Sequence, residues 1–247
     1  TALGTNIAFN VAKNFKENTI AAFNAALNLG ADAIETDVRL TKDNKAVINH
    51  DDEHILDGEE VKISNTSLDY ILMNRNNSQE RMLTIEELFE YINKNNITLH
   101  LEIKDNSKIL FELIIDQIQK YNFWDKIYLL GFSGKIKTAL KFQDKYPKLR
   151  VSQILRFPLY SYIKKPQKSY GVYLGWLDGV NNSELIFKKI ISINRLKKLK
   201  KYFEDLGFHV MGGVINREDG IKYLTDAGIN DIFTDETELC HKLMQQF

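Results

Sequence analysis

Residues 33–50 read AIETDVRLTKDNKAVINH, and this stretch decides the fold class. Its two β-rich runs, AIETDV and AVINH, are candidate strands. The segment Leu40–Lys45 between them is too short for a crossover between parallel strands, which needs a dozen or more residues. We therefore predict that the second run returns antiparallel to the first. A hairpin centred near Asp43 places residues 49–51 opposite residues 35–37.

Along the rest of the chain, strand-like runs alternate with amphipathic helical periods. The candidate strands, with the two in the hairpin, are Asn6–Phe9, Ala33–Val38, Ala46–His50, Thr98–Ile103, Ile127–Phe132, Arg150–Leu155, Tyr170–Trp176, His209–Ile215 and Asp231–Thr234. The candidate helices include Asn18–Leu29, Thr84–Lys94, Lys108–Tyr121, Lys135–Tyr146, Ile193–Leu206 and Glu218–Ala227, and His241 lies in a last helix. Such alternation predicts a mostly parallel sheet with helices outside it.

Eight strands remain when Ala46–His50 is set aside, and 247 residues is the usual size of a (β/α)8 barrel. The predicted fold class is therefore α/β, a (β/α)8 TIM-type barrel with an extra antiparallel hairpin strand after the second strand. An open doubly wound sheet is the alternative, but no G-x-G-x-x-G motif follows any candidate strand. We expect one barrel domain over residues 1–247, with a short insertion near residues 51–83.

Composition limits the function classes. The 33 Lys and Arg residues balance 33 Asp and Glu residues, so only a local patch could attract nucleic acid or an anionic membrane, and we expect no nucleic-acid partner. One cysteine, Cys240, excludes an internal disulfide and a cysteine-based zinc site. No apolar run is long enough for a transmembrane segment. No signal peptide is visible after Thr1, and the compartment stays open.

Helix boundaries are readable at several places in the sequence. Thr84, with Glu87 three residues later, has the pattern of a capping box at a helix start. Gly30 and Gly228 each follow a predicted helix at the position where a left-handed cap is needed. These signals support the assignment of the helices that they bound.

Ionisable side chains recur at two-residue spacing in two candidate strands. Glu35 and Asp37 share one face of the second strand, and His100, Glu102 and Lys104 share one face of the strand near residue 100. If both faces line the barrel lumen, three carboxylates meet, and a hard cation would offset their repulsion. Ligands that are all oxygen suit Mg²⁺ or Ca²⁺ better than zinc. Spacing alone leaves open that these acids lie on a solvated face.

The remaining histidines have different expected environments. The hairpin register brings His50, with Asp51, beside the acidic pair. We expect His100 to lie one layer deeper, as a packed core histidine, and His54 to lie in a solvated loop. His209 and His241 have no supporting constellation of polar residues.

Several segments, taken in order, resemble the glycerophosphodiester phosphodiesterase family. They are Glu17–Phe23 (ENTIAAF), Gly30–Asp43 (GADAIETDVRLTKD), His50 with Asp51, Leu83–Leu88 (LTIEEL), Leu101–Lys104 (LEIK), Asn216 and Ala227–Asp235 (AGINDIFTD). The matches span nearly the whole chain. The most specific part runs from residue 17 to residue 51.

The resemblance implies a phospholipase C-like phosphodiesterase barrel with one divalent cation, Mg²⁺ or Ca²⁺, as its cofactor. It implies that Glu35, Asp37 and Glu102 hold the cation, that Lys104 faces the substrate phosphate, and that His50 is one of two acid–base histidines. The implied reaction belongs to lipid metabolism: hydrolysis of glycerophosphodiesters or related phosphodiesters to an alcohol and a phosphomonoester, glycerol phosphate. The implied partner is a small-molecule phosphodiester, and the oligomeric state stays open.

The sequence departs from the family at the end of the first strand. The family's alanine-histidine-arginine-glycine signature reads Ala8-Phe9-Asn10-Val11 here. Phe9 cannot carry a proton, and Asn10, a candidate substrate contact, lacks the cationic fork of arginine. Two further hypotheses therefore stay open. One is a catalytically degenerate barrel that binds a phosphodiester, a polyol-phosphate polymer or a protein partner without turnover, and the other is a transferase or lyase that uses a substrate hydroxyl.

Two features lie outside these motifs. Trp176 ends a predicted strand, where barrel sites form, so it is a candidate substrate contact, with core packing as the alternative. The basic run Arg195–Lys201 (RLKKLKK) is typical of the solvent-exposed side of an amphipathic helix. A patch that binds a membrane surface or a polyanion is the alternative.

Overall fold

A computed structural model of the chain describes residues 6–8, 15–75, 78–155, 165–176 and 181–245. The strands in these ranges are β1 (Asn6–Ala8), β2 (Ala33–Leu40), β3 (Ala46–Ile48), β4 (Glu53–Leu56), β5 (Glu59–Lys62), β6 (Leu83–Thr84), β7 (Thr98–Ile103), β8 (Ile127–Phe132), β9 (Arg150–Ile154), β10 (Gly171–Leu174), β11 (His209–Gly212) and β12 (Ile232–Thr234). The helices are α1 (Ile20–Asn28), α2 (Leu68–Asn74), α3 (Ile85–Asn95), α4 (Lys108–Tyr121), α5 (Lys137–Lys145), α6 (Ser183–Ile190), α7 (Ile193–Asp205), α8 (Glu218–Asp226) and α9 (Thr237–Met244). None of these helices is long and apolar enough to cross a bilayer.

Within the described ranges, eight strands form a closed parallel ring. In spatial order, β1, β2, β7, β8, β9, β10, β11 and β12 each pair with the next, and β12 pairs with β1. The predicted (β/α)8 barrel is therefore confirmed. Because the ring strands are parallel, their carboxyl ends meet at one face of the barrel, where sites form in this architecture.

The predicted hairpin strand is also confirmed. β3 runs antiparallel to β2 with Val38 opposite Ile48, a register centred on Asp43. The backbone N–H of Asn49 donates to the carbonyl of Asp37 at 3.1 Å, which continues this pairing. β1 uses the same edge of β2 nearer its amino end. The hairpin thus leaves the ring at the carboxyl end of β2, and β6 pairs with β3 beyond it.

The segment between β3 and β6 contains a hairpin that is absent from the candidate strands. β4 and β5 form an antiparallel hairpin whose tight turn places Asp57 and Gly58 at positive φ. Alternation along β4 turns His54 inward, where it is 8% exposed, so the expectation of a solvated loop was wrong. Its Nε2 lies 3.2 Å from Nζ of Lys16. Burial, and secondarily the charge of Lys16, lower the pKa of His54 to about 4.

The apolar core lies on both sides of the ring. One cluster packs β2, β7, β8 and β9 against α1, α3, α4 and α5, and a second packs β10, β11 and β12 against α6 to α9. A third fills the lumen, and its buried members are Ala33, Leu130, Tyr173, Met211 and Phe233. Polar groups at the carboxyl end of the ring therefore stand above an apolar floor.

The predicted capping box at α3 is confirmed and is part of a larger charged network. Thr84 accepts from the backbone N–H of Glu87 at 3.3 Å, and the Glu87 carboxylate accepts from the N–H of Thr84 at 2.9 Å. Arg75 binds both oxygens of the same carboxylate, at 2.7 and 2.8 Å, and Arg81 adds a third bond at 3.1 Å. Burial raises the pKa of Glu87, but these hydrogen bonds and charges lower it to about 2.

We expect Glu87→Gln to lower the free energy of unfolding by about 1–2 kcal/mol at neutral pH. The glutamine amide keeps an acceptor for the helix cap, but it has no negative charge to attract Arg75 and Arg81. A depressed pKa stabilises the folded state above the reference value of 4.5, and that contribution is lost as the pH falls toward 2. Urea unfolding should therefore show the gap between parent and variant closing between about pH 5 and pH 2. Glu86→Gln, on the exposed neighbour, is the control, and a gap that does not change with pH would contradict the assignment.

Candidate metal centre

Three buried carboxylates converge at the carboxyl end of two adjacent strands. Glu35 and Asp37 point from β2 to one side because they are two residues apart, and Glu102 lies in β7 directly beside Asp37 in the register. Their exposed fractions are 3, 4 and 7%. One oxygen from each carboxylate lies within 4.8 Å of the others. The structure thus brings together the three residues that the resemblance implies as ligands.

Burial and mutual repulsion dominate the electrostatics of this trio. Burial raises the pKa of Glu35 well above its usual range, and the charges of Asp37 and Glu102 raise it further. The pKa of Glu102 is also raised, first by burial, although Lys104 works against that change. Carboxyl groups that resist ionisation in an apolar setting gain most from a neighbouring positive charge.

Lys104, the residue that follows β7, supplies one such positive charge. Its Nζ lies 2.8 Å from Oδ1 of Asp37 and 2.9 Å from Oε1 of Glu102. Burial alone lowers the pKa of Lys104, but the charges of these two carboxylates more than reverse that effect and raise it. The ammonium bridges two members of the trio and does not neutralise all three.

The residues of this trio fit a divalent cation. When ionised, the three carboxylates exceed Lys104 by two negative charges, and among the described residues Oε1 of Glu35 has no hydrogen-bond partner despite its burial. A buried carboxylate oxygen without a partner is costly unless a cation or proton satisfies it. The donor set is all oxygen, which suits Mg²⁺ or Ca²⁺. These residues could therefore hold one hard cation.

His100 belongs to the floor beneath the trio, as the sequence predicts. Its ring stacks on Tyr128 with centroids 4.7 Å apart and meets the edge of Phe233 at 5.0 Å. Its Nδ1 lies 3.3 Å from the hydroxyl of Tyr173. Burial lowers the pKa of His100 to about 3. A neutral, packed imidazole supports the layer above it and carries no charge into the site.

Asn18 fixes the position of Asp37. This residue follows β1, has a φ of 60°, and places its side chain against the next strand of the ring. Its Nδ2 donates to Oδ2 of Asp37 at 3.1 Å, and its Oδ1 accepts from the Asp37 N–H at 3.0 Å and from the hydroxyl of Thr36. One amide side chain thus holds both the backbone and the carboxylate of Asp37.

The same clamp recurs on the other side of β1. Asn216 follows β11, and its Nδ2 donates to Oδ2 of Asp235 at 2.6 Å, just after β12. Its Oδ1 accepts from the Asp235 N–H at 2.7 Å and from the hydroxyl of Thr234 at 3.2 Å. The charge of Asp235 adds to the negative field that raises the pKa of Glu35. The sequence carries a signal for this second clamp, because each asparagine precedes a Thr-Asp pair by the same spacing.

His50 lies at the rim of this site, near a further acidic residue, Glu17. The Nδ1 of His50 lies 2.9 Å from Oδ1 of Asp51, and the side chain of His50 is 44% exposed. Arg39 donates from Nε to the carbonyl of His50 at 2.8 Å, which anchors this part of the chain. Burial raises the pKa of Glu17, while the charge of His50 lowers it and those of Asp37 and Asp51 raise it. Glu17 belongs to the family-like segment Glu17–Phe23 but has no predicted role, and the acid–base role of His50 stays a prediction.

The two other predicted substrate contacts are Trp176 and Asn10. Trp176 is 5% exposed and packs in the outer layer, with its ring 5.4 Å from that of Phe187 and 6.0 Å from that of Tyr223. This is the core-packing alternative of the sequence analysis, and a substrate contact through Trp176 stays a prediction. Asn10, like Phe9, lies outside the described residues.

The chain is similar to known proteins along nearly its whole length. The model of the glycerophosphoryl diester phosphodiesterase family matches residues 11–239. A glycerophosphodiester phosphodiesterase of Caldanaerobacter subterraneus subsp. tengcongensis is 25% identical over 250 aligned residues, which cover 95% of this chain and 94% of that protein. The match therefore extends over nearly the full length of both proteins.

Solved structures show the same fold. A glycerophosphodiester phosphodiesterase from Thermotoga maritima superposes with a TM-score of 0.70 at 20% identity, covering 97% of this chain and 98% of the other. A phosphodiesterase from Oleispira antarctica, solved in complex with the product sn-glycerol-3-phosphate, gives a TM-score of 0.74 at 18% identity, covering 98% and 97%. At these identities the likeness establishes the barrel fold.

We expect Asn18→Ala to lower the free energy of unfolding by about 2–4 kcal/mol, because the buried N–H of Asp37 and the hydroxyl of Thr36 lose their acceptor. Asn216→Ala should cost a similar amount for the same reason. Urea unfolding at neutral pH measures both changes. The control is Asn95→Ala, which removes one bond from an exposed side chain to the carbonyl of Tyr91. Equal losses for Asn18→Ala and Asn95→Ala would contradict the clamp.

Proposed function

The chain belongs to the glycerophosphoryl diester phosphodiesterase family, a family of phosphoric diester hydrolases, and on this premise we propose that it hydrolyses glycerophosphodiesters or related phosphodiesters. The products are an alcohol and glycerol phosphate, and the reaction depends on one divalent cation, Mg²⁺ or Ca²⁺. The observation that carries the proposal is the buried trio of Glu35, Asp37 and Glu102. The product bound to the Oleispira antarctica phosphodiesterase supports this choice of product.

In this proposal the trio holds the cation, which when bound polarises the phosphoryl oxygens and helps to position the attacking group. Lys104 binds the substrate phosphate. An ammonium has three N–H donors, and two of those of Lys104 face Asp37 and Glu102, which leaves the third for a phosphate oxygen. The contacts of Lys104 with two carboxylates orient it before the substrate arrives.

His50 is the proposed acid–base residue. In this role the Asp51 carboxylate accepts a hydrogen bond from Nδ1 of His50 and orients the ring. Nε2 is then the nitrogen that transfers a proton to the leaving alkoxide. The partial exposure of the ring lets it exchange that proton with solvent. We propose Asn10 and Trp176 as substrate contacts, and residues 1–247 as one barrel domain in which residues 51–83 are an insertion.

A second candidate function rests on the residues at positions 9 and 10. Phenylalanine and asparagine stand where the family places a histidine and an arginine, so one acid–base partner and one phosphate ligand are replaced. Loss of one acid–base partner costs about 10²–10⁴-fold in rate. In this alternative the barrel binds a phosphodiester, a polyol-phosphate polymer or a protein partner and does not turn it over.

We expect the protein to release glycerol phosphate from glycerophosphocholine when Mg²⁺ or Ca²⁺ is added, and to stop when EDTA removes the cation. Glu35→Gln should abolish this activity, because the carboxylate would no longer offer its charge to the cation. Coupled detection of glycerol phosphate measures the rate. Glu59→Gln, on the exposed strand β5 and outside the trio, is the control. Activity that survives both EDTA and Glu35→Gln would contradict a metal-dependent reaction.

The double variant Phe9→His with Asn10→Arg separates the two candidate functions. If the parent binds glycerol phosphate but is inert, and the double variant turns over glycerophosphocholine, the binding function is favoured. Turnover by the parent that depends on Glu35 favours the hydrolase. Products formed in ¹⁸O-labelled water then distinguish attack by water from attack by a substrate hydroxyl, since only hydrolysis at phosphorus places solvent oxygen in the phosphomonoester.

A further inference from the structure

Helix α6 turns an apolar face away from the protein. Leu185, Ile186 and Ile190 are 66, 55 and 48% exposed, whereas Phe187 and Glu184 on the opposite side are buried. At 3.6 residues per turn the three exposed side chains occupy one continuous arc of the helix. An amphipathic helix normally turns such an arc toward the core, so its outward position indicates a surface that contacts something else.

Lysines surround this apolar arc. Lys189 lies within the arc itself, and Lys197 and Lys198 lie on the exposed side of α7, which follows directly. None of the three has an acidic partner among the residues that the structure describes. The side chain of Arg195 donates to the carbonyl of Ile190 at 2.6 Å and thereby joins the start of α7 to the end of α6. The two helices therefore present their apolar and basic groups as one surface.

The nearby acidic groups do not offset this charge, because they are already paired. Glu184 binds Lys188 and Arg217, the latter at 2.5 Å. Asp219 binds Lys188 at 2.9 Å and Arg217 at 3.3 Å. Lys188 also lies over the ring of Trp176 at 5.3 Å, on the inner side of the helix. The outer side keeps the unpaired lysines and is positive.

This surface is on the same face of the barrel as the candidate metal centre. Phe187 packs on Trp176, which comes just after β10, and Lys188 binds Asp219, which comes shortly after β11. Lys104 follows the end of β7. Because the ring strands are parallel, residues that follow them lie at one face of the barrel. A flat partner that contacts α6 would therefore lie beside the mouth of the site.

We propose that Leu185, Ile186 and Ile190, with Lys189, Lys197 and Lys198, form a docking surface for a lipid bilayer with anionic headgroups. Apolar side chains that enter the headgroup boundary, combined with lysines that face anionic lipid, are the two contributions that hold an amphipathic helix at a membrane surface. A second copy of the chain is a poorer occupant, because a symmetric contact would bring the lysines of both copies together. Docking does not depend on the proposed hydrolysis and can be measured without turnover.

Vesicle co-sedimentation of the full chain tests this surface. We expect binding to vesicles of phosphatidylcholine with phosphatidylglycerol, and much weaker binding to phosphatidylcholine alone. Replacing the three lysines by glutamine should lower the partition constant roughly a hundredfold, since each lysine near an anionic surface contributes about fivefold. Leu185→Ser with Ile186→Ser should lower it at least about tenfold. Urea unfolding of both variants should match the parent, because the changed side chains are exposed.

Matched controls lie at the opposite face of the barrel. Leu29 and Leu206 are exposed hydrophobic residues at the ends of their helices, and Lys94, Lys120 and Lys148 are exposed lysines near the starts of strands. Leu29→Ser with Leu206→Ser, and glutamine at the three control lysines, should leave vesicle binding unchanged. The proposal is overturned if the parent does not bind anionic vesicles or if test and control variants bind alike. It is also overturned if light scattering shows a parent dimer that Leu185→Ser with Ile186→Ser dissociates.

Discussion

The repulsion among three buried carboxylates is the constraint on which the rest of the site depends. Pairing of β2 with β7 places Asp37 directly beside Glu102, and the two-residue period adds Glu35, so the closed ring itself forces the three charges together. The apolar floor below prevents water from screening them. Lys104 compensates part of the charge, and a divalent cation would compensate the rest. An arrangement that costs stability without a ligand is characteristic of a functional site.

The chain holds this arrangement with local devices that recur around the ring. An asparagine in the segment after one strand clamps a Thr-Asp pair of the next strand, once from Asn18 to Asp37 and once from Asn216 to Asp235. The two clamps lie on either side of β1, where the ring closes. Each satisfies a backbone N–H and a carboxylate with one side chain, so the acidic residues keep their positions although they repel one another.

Much of the fold could be predicted from the sequence, because the strand and helix periods and the short Leu40–Lys45 turn limit the topology to a barrel with a hairpin. Glu35, Asp37, Glu102 and Lys104 also follow from their spacing and from the family motif. The Asp57-Gly58 pair is a hairpin signal in the sequence, but the inward position of His54 depends on which face of the β4–β5 hairpin packs on the barrel, and the weak apolar pattern of this segment does not define that face. The helices α2 and α6 were also not predicted, because they are short and gain their stability from tertiary contacts.

The outward face of α6 likewise appears only in three dimensions, because a sequence period shows that a helix has an apolar arc and not which way the arc faces. The charge of α7 was readable as a basic run, but its connection to that arc depends on the turn at Ser192 and on the bond from Arg195 to Ile190. Surface and site share one face of the barrel because the trio lies toward the carboxyl ends of β2 and β7, and α6 follows the carboxyl end of β10.

The most direct test of the central claim is an anomalous-scattering map from crystals of the protein soaked in Mn²⁺, a probe for a hard-cation site with oxygen ligands. The account predicts one strong peak, with oxygens of Glu35, Asp37 and Glu102 at about 2.0–2.6 Å from it. A map without a peak between these three residues, with Nζ of Lys104 still bound to Asp37 and Glu102, would contradict it.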